Sequence, residues 1–112
     1  MAKLEHAFTG YGIVELADLI TEGITSRSMT ASLEDSSSFS SGDVSCIVLV
    51  FERYSVIGSN RLSLTVTLFS EPGCVRVSGI SSGGSEGVVW KINTLGEEAF
   101  LDVLSDVLSS IS

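Results

Sequence analysis

Residues 44–69 read VSCIVLVFERYSVIGSNRLSLTVTLF. The first part, 44–51, is apolar at both parities and rich in Val and Ile, as expected of a strand covered on both sides. The second part alternates. Leu62, Leu64, Val66 and Leu68 fall on one face, and Ser63, Thr65 and Thr67 on the other, the period of a half-buried strand. Ile57-Gly58-Ser59-Asn60 lies between them, and a glycine there suits a two-residue type II′ turn. That turn sets Ile57 against Asn60, Phe51 against Val66 and Leu49 against Leu68. It also sets Tyr54 against Ser63 and Arg61 against Val56. The leucines then share a face with Ile47, Leu49 and Phe51. Cys46, Val48, Val50, Thr65, Thr67 and Phe69 share the reverse face, which is mixed but still fairly apolar.

Beyond this hairpin, Glu71-Pro72-Gly73 is a turn signal. Val75, Val77 and Gly79 alternate with Cys74, Arg76 and Ser78. A third strand hairpinning back sets Val77 against Leu68 and adds its valines to the leucine face. Cys46 and Cys74 then stand on the reverse face, two strand spacings apart. That separation of ~9.5 Å exceeds the reach of a disulfide, about 7 Å between Cα atoms, so both thiols are expected free. Ser81-Ser82-Gly83-Gly84-Ser85-Glu86-Gly87 reads as a mobile connector, with backbone N–H groups enough to bind a small anion. It contains G-x-S-x-G, but a nucleophile elbow needs a following helix and a histidine partner. Here the next segment, Val88 to Ile92, reads as a strand, and the one histidine, His6, lies upstream. Thr94-Leu95-Gly96-Glu97 fits a capping box. The helix it opens carries Phe100, Leu101, Leu104, Val107, Leu108 and Ile111 on one stripe, with Asp102 and Asp106 on the wet side.

Upstream, residues 3–9 alternate Leu4, His6 and Phe8 against Lys3, Glu5 and Ala7, so a strand is expected. His6 on its inward face is expected as a packed, hydrogen-bonded side chain rather than a ligand or base. Gly10-Tyr11-Gly12 ends that strand. Ile13, Leu16, Ala17, Ile20 and Ile24 then follow at helical spacing, with Glu15 and Asp18 suiting the positive end of the helix dipole. A dinucleotide fingerprint would need a third glycine where Glu15 stands, and a parallel repeat after it. Residues 28–34 alternate again, and the serine-rich stretch Asp35 to Asp43 is expected to be a loop. Glu34, Asp35 and Asp43 lack the spacing of a metal loop, so neither a metal nor a cofactor is expected.

The chain has 112 residues, enough for one domain, 1–112, with a real core. A net charge of −8 repels phosphate, so neither nucleic acid nor an anionic membrane is expected as a partner. No apolar run has signal-peptide or bilayer-spanning character, so the expected location is the cytoplasm, with reduced cysteines. The element order β-α-β5-α implies an α+β fold: an antiparallel β-sheet with two amphipathic helices packed on one face.

This order resembles the TATA-binding-protein-like and helix-grip folds, a likeness that carries no function. Several motifs stand in order along the chain: Ser32-Leu33-Glu34-Asp35-Ser36-Ser37, Glu52-Arg53-Tyr54-Ser55 with Gly58-Ser59-Asn60-Arg61, Ser82-Gly83-Gly84-Ser85, and Lys91-Ile92-Asn93-Thr94 with Gly96-Glu97-Glu98-Ala99-Phe100-Leu101. Together they are similar to a family of small bacterial proteins of unknown function. The resemblance implies a bacterial, cytosolic, free-standing domain and brings no site residues.

The residues singled out for a ligand or partner are therefore those of the loops: Arg53, Tyr54, Asn60 and Arg61 at the hairpin tip, and Ser82, Gly83, Gly84 and Ser85. Arg53 and Arg61 suit surface ion pairs, with Glu98 as a partner for Arg53, or else an anionic ligand. No catalytic residue is assigned, and an enzyme is the least supported reading. The expected function is a non-enzymatic interaction module, self-associating as a homodimer through the reverse sheet face, where Val44, Cys46, Val48, Val50 and Phe69 form an apolar patch. The alternative is a carrier of a small apolar ligand, held between the C-terminal helix and the sheet by Phe51, Leu64, Val77 and Leu104.

Overall fold

Leu62, Leu64, Val66 and Leu68 are all buried, while Ser63, Thr65 and Thr67 between them are only partly so. This strict alternation is the centre of the molecule. The computed structural model describes residues 1–55, 60–83 and 90–111, with side chains for 1–54, 61–83 and 96–111. The elements are β1 (Ala2–Phe8), α1 (Ile13–Arg27), β2 (Ser32–Ser41), β3 (Val44–Ser55), β4 (Asn60–Glu71), β5 (Cys74–Gly83) and α2 (Trp90–Ile111). The strands form one antiparallel sheet in the order β1-β5-β4-β3-β2, with β4 in the middle. The fold is α+β.

Both helices lie on one face. α1 packs against β3, β4 and β2, and α2 against β5, β1 and β4. The stripe Leu16, Ala17, Ile20 and Ile24 of α1 is buried, as its spacing requires. On α2, Phe100, Leu104, Val107 and Leu108 are buried, Leu101 and Ile111 pack partly against them, and Asp102 and Asp106 are exposed. With Leu49, Phe51, Val75 and Val77 from the sheet these side chains make one core. Each fully buried aliphatic contributes roughly 1.5–3 kcal/mol. Gly79 permits the close approach of α2 to the sheet, and Gly23 that of α1 to α2. A Cβ at Gly79 would lie 2.3 Å from Leu104 Cδ2, and one at Gly23 would lie 2.6 Å from Val107 Cγ1.

The strand pairing departs from the expected register by two residues. Phe51 faces Leu64, Leu49 faces Val66, Tyr54 faces Arg61, and the last pair is Ser55 with Asn60. The two-residue turn with Ile57 opposite Asn60 is therefore excluded, because four residues separate the last paired positions. A slip of two keeps every side chain on its face, so the hydrophobic pattern did not oppose it. It also brings Glu52 diagonal to Arg61 on one face, within reach of an ion pair. The expected pairing of Val77 with Leu68 is present.

Three other expectations are corrected. The serine-rich stretch is not a loop: Ser32–Ser41 is a ten-residue edge strand, paired with β3 as far as Ser41 and Val44. Gly42, with φ 60°, then takes the turn. β3 supplies a complete ladder, and that outweighs the weak strand preference of serine and aspartate. Residues 90–92 are not a strand but the first turn of α2, so the sheet has five strands rather than six. Val88 and Val89 lie outside the described residues. Thr94 consequently stands inside the helix, and the capping box at 94–97 does not exist.

Candidate functional site

The two segments singled out in the sequence meet at one end of the sheet. Tyr54 pairs with Arg61, Leu62 with Gly83, and Ser63 with Ser82. The Ser63 and Ser82 hydroxyls are 2.8 Å apart. Asn60 is placed by its backbone in the Ser55 pair. Gly84 and Ser85, with most of the G-x-S-x-G motif, lie outside the described residues.

The two arginines do not converge. Arg53 is on the helix side, where its Nη1 donates to Ser28 Oγ at 3.3 Å and its guanidinium carbon lies 4.7 Å from the centre of the Phe100 ring. Partial burial lowers its pKa from the usual guanidinium value. Glu98 is not its partner. Arg61 is on the opposite face, with Nε 2.9 Å from Glu52 Oε1 and Nη2 4.0 Å from Glu34 Oε2. The ion-pair reading holds for Arg61. Arg53 instead stacks on an aromatic ring. A single anion gripped by both is excluded, because the sheet stands between them.

Glu34 is the extra residue of a bulge between Leu33 and Asp35, and it accepts a hydrogen bond from Ser32 Oγ. Asp43 sits in the turn beyond the far end of that strand, and among the described residues no three His, Cys, Asp or Glu side chains gather as a metal site. His6 has the inward parity, opposite Val77, yet is exposed near the sheet edge. It packs edge-on to Phe8, with ring centres 4.6 Å apart. Its expected burial does not occur. Beneath the start of the described part of α2, Glu97 is buried and its Oε1 lies 2.7 Å from the Met1 amine. The Ser81 hydroxyl is buried with no hydrogen-bond partner among the described residues.

Both described helices lie on the first face, and among the described residues none covers the other. Reading across the strands from β1 to β2, three rows face outward: Ala7, Arg76, Phe69, Cys46, Phe39; then Glu5, Ser78, Thr67, Val48, Ser37; then Lys3, Ile80, Thr65, Val50, Asp35. Phe39 is 62% exposed, Ile80 39% and Phe69 37%, and Val44, Cys46, Val48 and Val50 are half-buried. Over β1, β5 and β4 lies an open groove of about 620 Å³, lined by Glu5, Ala7, Thr67, Phe69, Arg76 and Ser78 among others. The Arg76 guanidinium stacks 5.7 Å from the Phe69 ring centre and holds Glu71 Oε1 at 2.9 Å.

Both cysteines share this face and are free. The Cys74 thiol is pushed up by desolvation, then by its hydrogen bond to Glu71 and that carboxylate's charge, with Arg76 opposing. Sequence reasoning found Val44, Cys46, Val48, Val50 and Phe69 but missed Phe39, because it assigned a loop there. It also passed over Ile80, although period-two spacing from Cys74 reaches that position.

No described helix is long and apolar enough to cross a membrane. Neither the curated proteins nor the solved structures provide a significant match to the chain. The chain matches DUF6054, a family of unknown function, over residues 1–112, and the protein belongs to it.

Proposed function

We propose that the protein is a non-enzymatic interaction module that self-associates through the uncovered face of its sheet. The observation that carries this reading is a five-stranded face with exposed Phe39, Phe69 and Ile80 and, among the described residues, no helix over it. Phe39, Cys46 and Phe69 adjoin in one row, and exposed apolar side chains gathered on an uncovered sheet face mark a candidate interaction site. Strands about 4.8 Å apart and roughly ten residues long present about 800 Å², the share of one partner in a stable interface.

Charge favours a second copy on this side. With Glu97 buried against the Met1 amine, α1 and α2 still carry Glu15, Asp18, Glu22, Glu98, Asp102 and Asp106 against Arg27 and Lys91. Two helix layers would repel each other. The outer face sets Lys3, Arg61 and Arg76 against Glu5, Glu34, Asp35, Glu52 and Glu71, a smaller acidic excess than the helices carry. A cytoplasmic setting is part of the proposal, supported by two unpaired thiols. A bacterial origin rests on the motif resemblance, and the likeness to TATA-binding-protein-like and helix-grip folds rests on element order alone.

The carrier reading is weaker. Phe51, Leu64, Val77 and Leu104, which would line its pocket, belong to one buried core. Sedimentation over a micromolar concentration series tests the proposal. The wild-type protein is expected to sediment as a dimer. Phe69→Glu is expected to weaken association at least ten-fold with little change in fold, because it buries a charge in the interface. A monomer at every concentration refutes the reading.

A further inference from the structure

We infer that the dimer is two-fold symmetric with its axis running along β4, so that β2 of each copy lies over β1 of the other. This rests on the self-association just proposed and fixes its geometry. β4 is the middle strand of five. A two-fold axis along it, midway between the two sheets, exchanges β1 with β2 and β5 with β3 while keeping each residue in its row.

The rows then pair position by position, with Arg76 over Cys46 in the first. Phe39, the most exposed ring of the face, lies over Ala7, the smallest side chain of the groove. Asp35 lies over Lys3 at both ends of the interface, two opposite-charge contacts from one symmetry operation. Val50 lies over Ile80, Val48 over Ser78 and Ser37 over Glu5. On the axis Phe69 meets its own copy, an arrangement in which aromatic rings pack offset or edge to face. Facing sheets sit about 10 Å apart, a gap that a large side chain opposite a small one fills. Packed sheets also rotate by about 30°, which the long side chains of Lys3 and Phe39 absorb at the edges.

The other in-plane axis, across the strands, lays each strand over itself. It sets Glu5 of β1 on the Glu5 of the second copy, and Phe39 of β2 over Asp35. Like charges face each other and the aromatic knob meets a carboxylate, so this arrangement is disfavoured. Joining β2 edges into one wide sheet is opposed by the bulge at Glu34 and the carboxylates beside it, devices that blunt an edge.

The test uses the full chain with Cys46→Ser and Cys74→Ser. Ser37→Cys and Glu5→Cys are made in separate molecules and then mixed with a short bismaleimide, because facing sheets are too far apart for a direct disulfide. Both positions are exposed and outside the core. Within one copy they lie four strand spacings apart, about 19 Å, beyond a short linker. The mixture is expected to give a covalent dimer, and each variant alone is not. Lys3→Asp and Asp35→Lys are each expected to weaken the dimer roughly ten-fold, with the double exchange restoring it. If Ser37→Cys or Glu5→Cys cross-links with itself, or a dimer forms without mixed cross-linking, this geometry is overturned while self-association stands. If every sample is a monomer, or a different protein covers the face, both fall.

Discussion

The two faces of the sheet are built from the same strands and have opposite fates. On the helix side of β4, four consecutive inward positions are buried under α1 and α2. On the other side the same strand shows Ser63, Thr65, Thr67 and the exposed ring of Phe69. One face is completed by the chain's own helices. The other is too apolar to be simply wet and too polar to be a second core. A sheet face of that intermediate composition suits reversible contact, since a reversible interface is about as apolar as ordinary protein surface.

The largest expected break in this contrast comes from paired truncations on β4. Leu64→Ala should cost about 2–5 kcal/mol, because it empties a fully packed site. Thr65→Ala, one residue along on the other face, should stay within about 0.5 kcal/mol. Urea denaturation of dilute protein measures both, and equal costs would mean the two faces are not distinct. Next in size is Gly79→Val. Its new side chain would press on Leu104, itself fully buried, and overpacking should cost about 1–3 kcal/mol. A Tm unchanged from wild type would show that α2 lifts freely from the sheet.

On the outer face the effects shrink. A double-mutant cycle between Glu52→Gln and Arg61→Gln should give about 0.2–1 kcal/mol of coupling, since the pair is solvent-exposed. Raised salt should reduce it. The smallest effect is kinetic. Cys74 is held above its usual thiol range, partly by Glu71. Glu71→Gln should therefore enlarge its thiolate fraction and speed alkylation a few-fold at pH 8. The direction follows because removing the carboxylate's charge and its acceptor role both favour the ionised sulfur.

The faces were legible because parity is local. Leu62 to Leu68 name their own side, and the helical stripes from Ile13 and Phe100 name theirs. Register was not legible, since a two-residue slip leaves parity untouched and only the Ser55–Asn60 closure distinguishes it. β2 was hidden for a different reason. Its serines become a strand by borrowing the ladder of β3, a long-range contact that local composition does not record. The start of α2 misled because three residues at 90–92 are too few to separate a strand from a helical turn. For the site, the pairing of strands puts Arg53 and Arg61 on opposite sides, and the sequence reading left a joint anion grip open. Phe39 was lost with the strand that carries it.

β1 closes the sheet by pairing with β5, so Ala2 lies beside Ser81. A ribosome delivers β1 long before that neighbour emerges. During translation the first strand must wait, with Leu4 and Phe8 unsheltered, while the meander from β2 to β5 assembles through short hairpins. The late docking of β1 leaves an interval in which the sheet edge of β5 stands open to chaperones, or to a neighbouring polysome's product.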